Sequence, residues 1–316
     1  MFTITPKMYS AIGACSKSST HLVELGAIQR FAEAVGDPDF THYYDGATKQ
    51  AITGTIVAPP TFSRSMRPSP AKPEFDLPFT GVLDGGSEWQ YFLPIYPGEN
   101  IAVTTKLIDL QAKSGTLGDM LLATRETVFV NEQGAIAIRE RDTEIYYNNQ
   151  PGVSGPLPGQ SVIQNPTNPI YESRSAKLSK PHLENIIVGT ELPVLTKRPT
   201  IRQLAMYAGA SGDFYEIHYD RDFANARGLN EVIVHGALKS AFLGQLLTDW
   251  VGNSGDLVRL NVQYRAMDER DRPLYCTGVV TDKRVSKNGH LVDCALWIEN
   301  DLGHQTTLGS ATVALP

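Results

Sequence analysis

The sequence predicts an α+β protein made of two copies of one unit, each an antiparallel sheet wrapped around a helix. Three observations predict it: an internal repeat, a proline- and glycine-rich break between the copies, and, in the second copy, a helix apolar over most of its girth followed by four strand patterns.

The chain has 316 residues, 41% apolar and 20% charged, with a formal net charge of −6. That length suggests two domains or one large one, and such a composition buries a full core rather than staying disordered. The acidic balance argues against nucleic acid or an anionic membrane as partner, since both need a concentrated basic face. No run of about 18 apolar residues predicts a membrane span. Met1 to Thr20 lacks a basic stretch followed by an apolar run, so no signal peptide is expected and a cytoplasmic location is. Cys15, Cys276 and Cys294 are odd in number and widely spaced, which suits reduced structural thiols and neither a disulfide framework nor a zinc site.

Phe31-Ala-Glu-Ala-Val-Gly-Asp37, followed by His42, repeats as Tyr207-Ala-Gly-Ala-Ser-Gly-Asp213, followed by His218, at an offset of 176. Ile56-Val57-Ala58 repeats as Ile233-Val234-His235 at 177, and Gln90-Tyr91 as Gln263-Tyr264 at 173. Between the copies, 149–181 holds Pro151, Pro156, Pro158, Pro166, Pro169 and Pro181 and reads as a linker. The expected organisation is therefore an N-terminal unit over 1–148, the linker, and a C-terminal unit over 182–316.

In the first unit the strand candidates are 87–96, 99–111, 119–131 and 134–147, preceded by a short helix, Thr61 to Arg67, stopped by Pro68 and Pro70. In the second, Thr200-Ile-Arg-Gln203 is a capping box that opens a helix to about Ser211. A polar loop follows, then the buried helix Ala237–Trp250 with Gly252 as its C-cap. Strand patterns at 257–266, 274–285, 290–299 and 305–315 complete the unit. A curved antiparallel sheet around one helix is the hotdog architecture, here in tandem.

Asp213 and His218 lie five residues apart in a loop that Ile217 anchors and Gly212 lets turn sharply. A carboxylate and an imidazole facing one water can orient and deprotonate it. Alone, such a pair is more often a turn cap and a surface histidine. Gly236 falls in the first turn of the buried helix, where amides lack intrahelical partners and can stabilise a developing oxyanion. The first copy has Ala58-Pro59-Pro60 there, and proline has no N–H. The second copy is thus the better place for chemistry and the first for binding or support. A nucleophile elbow, a phosphate loop and a dinucleotide fingerprint are missing from the sequence, and no metal or other cofactor is expected.

The run Tyr207 to Asp220, with Phe223-Ala224, Gly228 and Ile233-Val-His-Gly236, resembles the hydratase-2 signature of the MaoC family. The first half, with Phe31–Asp37, Ile56–Phe62 and Gly85-Gly-Ser-Glu-Trp89 leading to Pro97-Gly98-Glu99, resembles that family's N-terminal dehydratase-like half. The resemblance implies a double-hotdog hydro-lyase that adds water reversibly to a 2-enoyl-CoA thioester, giving a 3-hydroxyacyl-CoA, a reaction of the fatty-acid type. It implies that Asp213 and His218 hold the water and that Gly236 donates its amide to the thioester carbonyl. It places Tyr207, Ser211, Tyr215 and His235 around the substrate, with Asp37 and His42 as a candidate second site. Which of Asp213 and His218 is the base stays open. Tyr215-Glu216 replaces the usual Asn-Pro. Lys239, Arg259 and Arg265 are the candidates for CoA phosphates, and the acyl chain could equally ride on a carrier protein. Thioester hydrolysis on the same fold, or a silent acyl-CoA-binding subunit, are the alternatives. A homo-oligomer is left open.

Overall fold

The N-terminal copy runs α1 (Pro6–Ser10), β1 (Ser19–Leu22), α2 (Leu25–Val35), a 3-10 helix (Pro60–Met66), β2 (Gly81–Tyr91), β3 (Asn100–Gly115), β4 (Gly118–Val130) and β5 (Ile136–Tyr147). The C-terminal copy runs β6 (Leu195–Lys197), α3 (Ile201–Ser211), a 3-10 turn (Glu216–His218), α4 (Arg221–Ala226), α5 (Gly236–Val251), β7 (Asp256–Tyr264), β8 (Leu274–Ser286), β9 (Gly289–Asn300) and β10 (Gln305–Leu315). The computed structural model describes residues 2–38, 56–67, 75, 77–115, 118–148, 186–252, 255–287 and 289–316. His42 and the whole linker lie outside them.

The repeat is visible residue by residue. Adding 176 to the bounds of α2 gives those of α3, and both helices end on a left-handed glycine, Gly36 (φ 68°) and Gly212 (φ 73°). All strands form one antiparallel sheet in the order β1-β3-β4-β5-β2-β7-β10-β9-β8-β6, so the two copies meet where β2 pairs with β7. In that ladder Glu88 lies opposite Asn261, which are also equivalent residues at the offset of 173. A pseudo-twofold axis therefore passes through this pair. Gly86 (φ 149°) sits beside it, and a Cβ there would meet the Val262 carbonyl oxygen at 2.5 Å, so only glycine lets the two strands close.

Apolar side chains from both copies form one continuous core. α5 is buried on nearly every side, and β7 to β10 wrap it as the sequence predicts. Its N-terminal counterpart is the two-turn helix Pro60–Met66. α2 and α3 pack together across the axis. There Lys197 Nζ donates to the carbonyls of Val35 and Gly36 (3.0 and 2.9 Å), and Gln203 Nε2 to those of Ala34 and Val35 (2.9 and 3.1 Å). These bonds satisfy carbonyls that the end of a helix leaves unpaired. Half of the predicted capping box forms, with Thr200 Oγ1 accepting from the Gln203 amide at 3.2 Å. The Gln203 side chain serves the other copy instead.

One strand differs from expectation. β2 begins at Gly81, six residues before the predicted start, because Gly85-Gly86 forms a β-bulge within the strand rather than breaking it. No described helix is long and apolar enough to cross a membrane.

Candidate active site

The loop after α3 is short and fully determined. Gly212 turns the chain, the Ser211 hydroxyl donates to the Tyr207 carbonyl (2.7 Å) and accepts from the Asp213 amide (3.3 Å), and Asp213 Oδ1 accepts from the Tyr215 amide (3.4 Å). Ile217 is buried, as its anchoring role requires. His218 follows on the 3-10 turn, 7% exposed.

His218 Nδ1 lies 2.8 Å from the Ile233 carbonyl oxygen. A carbonyl only accepts, so Nδ1 carries the proton and Nε2 keeps its lone pair. Burial lowers the imidazole's pKa from its ordinary 6.5, against the pull of Asp213 and the Ile233 bond, so the ring is neutral at neutral pH. Behind it stacks His235, ring centroids 3.7 Å apart and planes 23° from parallel. Its Nε2 donates to the Asp213 backbone carbonyl at 3.3 Å, and its Nδ1 is buried with no partner among the described residues. Burial first, then His218, push its pKa well below the ordinary value.

Gly236 is the first residue of α5, whose N-cap is His235. Its N–H has no intrahelical acceptor and sits at the positive end of the helix dipole. A Cβ on Gly236 would meet the Tyr264 ring at 3.0–3.2 Å. The residue therefore serves both close packing and a free amide. In the first copy Pro59 is the N-cap and Pro60 the first helical residue, so the matching amide is absent there.

Asp213, His218 and Gly236 open onto one cavity of about 800 Å³ lined by both copies. Ser211 and Tyr215 line it as expected. Tyr207 and His235, expected around the substrate, do not: both are 0% exposed and stand behind the wall, Tyr207 against His235 at 5.1 Å. Lys239 is not a surface cation for CoA phosphates either. It is buried, with Nζ 2.9 Å from Asp268 Oδ2 and from the Ala266 carbonyl. Arg259 pairs with Glu88 across the sheet seam, and Arg265 with Gln263. Of the candidate second site, Asp37 is buried beside Gly36.

The sequence reading missed the far wall of the cavity. β-Ladder positions that are apolar in the second copy are ionic or polar in the first. Leu257 opposite Val313 becomes Asp84 opposite Glu144, Leu260 opposite Ala311 becomes Ser87 opposite Asp142, and Cys294 becomes Arg125. Both copies carry the same one-residue bulge, at Val258 and at Gly85, which keeps these positions in phase. In the second copy they pack on α5. In the first, where the helix is two turns long, Asp84, Asp142, Glu144 and Arg125 face the cavity. Arg64 from that short helix pairs with buried Glu140 (2.8 Å) and donates to Ser87. Arg67 also reaches Glu140 (2.9 Å), and Arg125 binds Glu144. Burial pushes the Asp84 and Asp142 carboxyls up to about 7, against the opposing pull of Arg64.

Asp213, His218 and His235 present ligand-type atoms within 4.8 Å of one another. The two rings are stacked, so their in-plane lone pairs run side by side instead of converging. One nitrogen of each ring is also held by a backbone carbonyl. The set suits proton handling better than metal coordination.

Residues 10–140 match the family described as FAS1-like, dehydratase domain region, and residues 184–296 match the MaoC like domain. Among curated proteins, the UPF0336 protein of Streptomyces avermitilis is 29% identical over 93 residues, 28% of this chain and 62% of that protein. This chain thus spans about six-tenths of the length of such relatives. The beta subunit of the 3-oxo-4,17-pregnadiene-20-carboxyl-CoA hydratase of Mycobacterium tuberculosis is 29% identical over 110 residues, 32% of this chain and 85% of that subunit. A solved structure described as a MaoC-like dehydratase aligns over 97% of this chain and 99% of its own, with a TM-score of 0.78 at 20% identity.

Proposed function

The chain is a MaoC-like double-hotdog protein with a FAS1-like dehydratase region as its first half, and on that premise we propose that it hydrates a 2-enoyl-CoA thioester reversibly to the 3-hydroxyacyl-CoA. The observation that carries this reading is the meeting of three groups at one cavity wall: the unprotonated Nε2 of His218, the Asp213 carboxylate, and the Gly236 amide at the start of α5.

Each group has a task. The Gly236 N–H hydrogen-bonds the thioester carbonyl, which gains negative charge as the enolate forms, and one such donor is worth about 10²–10³ in rate. Asp213 holds the water. His218 Nε2 takes one proton from it while its oxygen bonds to C3, and the proton then goes to C2, so that H and OH are added and nothing else is released. The Ile233 carbonyl fixes the His218 tautomer and orients the ring. The Mycobacterium tuberculosis relative is named as a subunit of a CoA-thioester hydratase, which supports the same class of substrate.

Separate Asp213→Asn and His218→Gln variants test the assignment by loss of enoyl-thioester absorbance. Each is expected to lose about 10²–10⁴ in kcat. Wild-type turnover in both would overturn it. Thiol reagent added to the same assay detects free CoA, whose release would mark hydrolysis instead.

A further inference from the structure

The far wall of the cavity raises its own question. A buried sheet face normally carries apolar side chains, as the second copy's does under α5. The first copy has instead placed Asp84, Asp142, Glu144 and Arg125 at matching ladder positions, and among the described residues its only counterpart of α5 is the two-turn helix Pro60–Met66. We propose that this wall, with Asp84 and Asp142 at its centre, is a subsite that takes hydroxyl groups on the acyl part of the thioester. The proposal rests on the hydration reading only in placing the thioester end at Gly236.

The chemical class follows from which groups are already occupied. The guanidiniums are spoken for: Arg64 and Arg67 by Glu140, Arg125 by Glu144. Among the described residues a carboxylate on the substrate would find no free cation and would face two uncommitted acids. Those acids are the groups with capacity to spare. Asp142 is 6% exposed, lines the cavity, and receives no hydrogen bond from any described residue, its nearest cation being Arg67 at 3.9 Å. Among the described residues Asp84 receives only the Gly86 amide, at 3.0 Å, through the bulge that aims it inward. An ammonium would satisfy them but must lie among three guanidiniums. A plain alkyl chain would displace water from the wall and replace none of its hydrogen bonds. A hydroxyl donates to a carboxylate and accepts from a carboxylic acid. With both carboxyls pushed up to about 7, each form is present near neutrality.

The test uses the full chain and saturated acyl-CoAs, which cannot be hydrated, of one chain length: plain alkyl, a single hydroxyl at successive positions, a terminal carboxylate and a terminal amine. Calorimetry is expected to show at least one hydroxylated ligand binding about tenfold or more tighter than the alkyl one. Asp84→Leu with Asp142→Ala, which installs the second copy's residues, is expected to abolish that preference, and Asp142→Asn, which keeps the volume, to weaken it. Equal affinity for alkyl and every hydroxylated ligand overturns the subsite while leaving the hydration reading intact. So does tighter binding of the carboxylate or the amine. A hydroxyl preference without turnover of the matching enoyl thioesters overturns hydration and leaves the subsite standing. Binding of none overturns both.

Discussion

Phe31 and Tyr207 are the same residue of the two copies, and their rings meet across the pseudo-twofold axis with centroids 5.7 Å apart. Both are fully buried, and the Tyr207 hydroxyl has no hydrogen-bond partner among the described residues. Burial holds that phenol far from ionising. The first copy has already dispensed with the hydroxyl. Tyr207→Phe is therefore expected to leave stability unchanged or raise it by about 1 kcal/mol, and to leave kcat unchanged because the ring stands behind the cavity wall. Thermal melts and turnover check this. A loss of kcat/KM of tenfold or more would restore Tyr207 to the substrate's surroundings.

The buried histidines set an acid limit. Since burial lowers the His218 pKa below 6.5, the base stays competent under mildly acidic conditions, and the acid limb of kcat/KM should fall below pH 6.5. Stability follows with the same sign. Below pH 6.5 the unfolded chain protonates both His218 and His235 while the native one does not. Unfolding is then favoured by up to about 1.4 kcal/mol per group for each pH unit lost. A pH–rate profile and denaturant melts at pH 7.5, 6 and 5 read the two effects.

Asp142 works in the opposite direction. Its raised pKa means that the native state holds a proton between the ordinary 3.8 and about 7, so its contribution to stability is lost as pH rises through 7. Asp142→Asn should gain on the order of 1–3 kcal/mol over wild type at pH 8 and little at pH 4. Denaturant melts at the two pH values compare them, and equal gains would show that charge is not the cause.

Lys239 and Asp268 form an ion pair with side chains 2% and 1% exposed, shared with Thr306. Lys239→Met leaves the carboxylate buried and uncompensated, at a cost of about 3–5 kcal/mol. Adding Asp268→Leu should recover part of that loss. Denaturant midpoints of the two variants decide it.

The fragment 180–316 is expected to be insoluble or inactive. Cutting it free exposes the edge of β7 and the α3 face that packs on α2, and removes the Arg125–Asp142 wall from the cavity. The full chain should melt in one transition. A soluble, active fragment would show that the copies are independent.

Much of this was legible because the repeat is nearly intact. The offset of 176 fixed α2 against α3, and seven of the eight long strand patterns, 99–111, 119–131 and 134–147 in the first copy and the four of the second, fall within a few residues of β3, β4, β5 and β7 to β10. Asp213, His218 and Gly236 stood out because they sit in the run that resembles the hydratase-2 signature and because the first copy has proline where Gly236 stands. The far wall was hidden for a definable reason. The predicted strand starts at 87, so Asp84 and the bulge at Gly85 fall outside it. Without the bulge register Asp84 could not be matched with Leu257. The charges at 139–144 fall on a predicted strand, but period-two alternation does not say which face is inward. Lys239 was misplaced similarly, because its partner Asp268 lies 29 residues away.

The seam between β2 and β7 has a genetic consequence. In an assembly of two identical subunits every substitution appears twice, so a change that suits one site is imposed on its mirror image. Here the mirror partner is encoded separately, at Glu88 and Asn261 on the axis and at Asp142 and Ala311 away from it. One copy could lose its helix and turn its inner face ionic while the other kept a dry core under α5. Joining the two copies in a single chain released each from the sequence of the other.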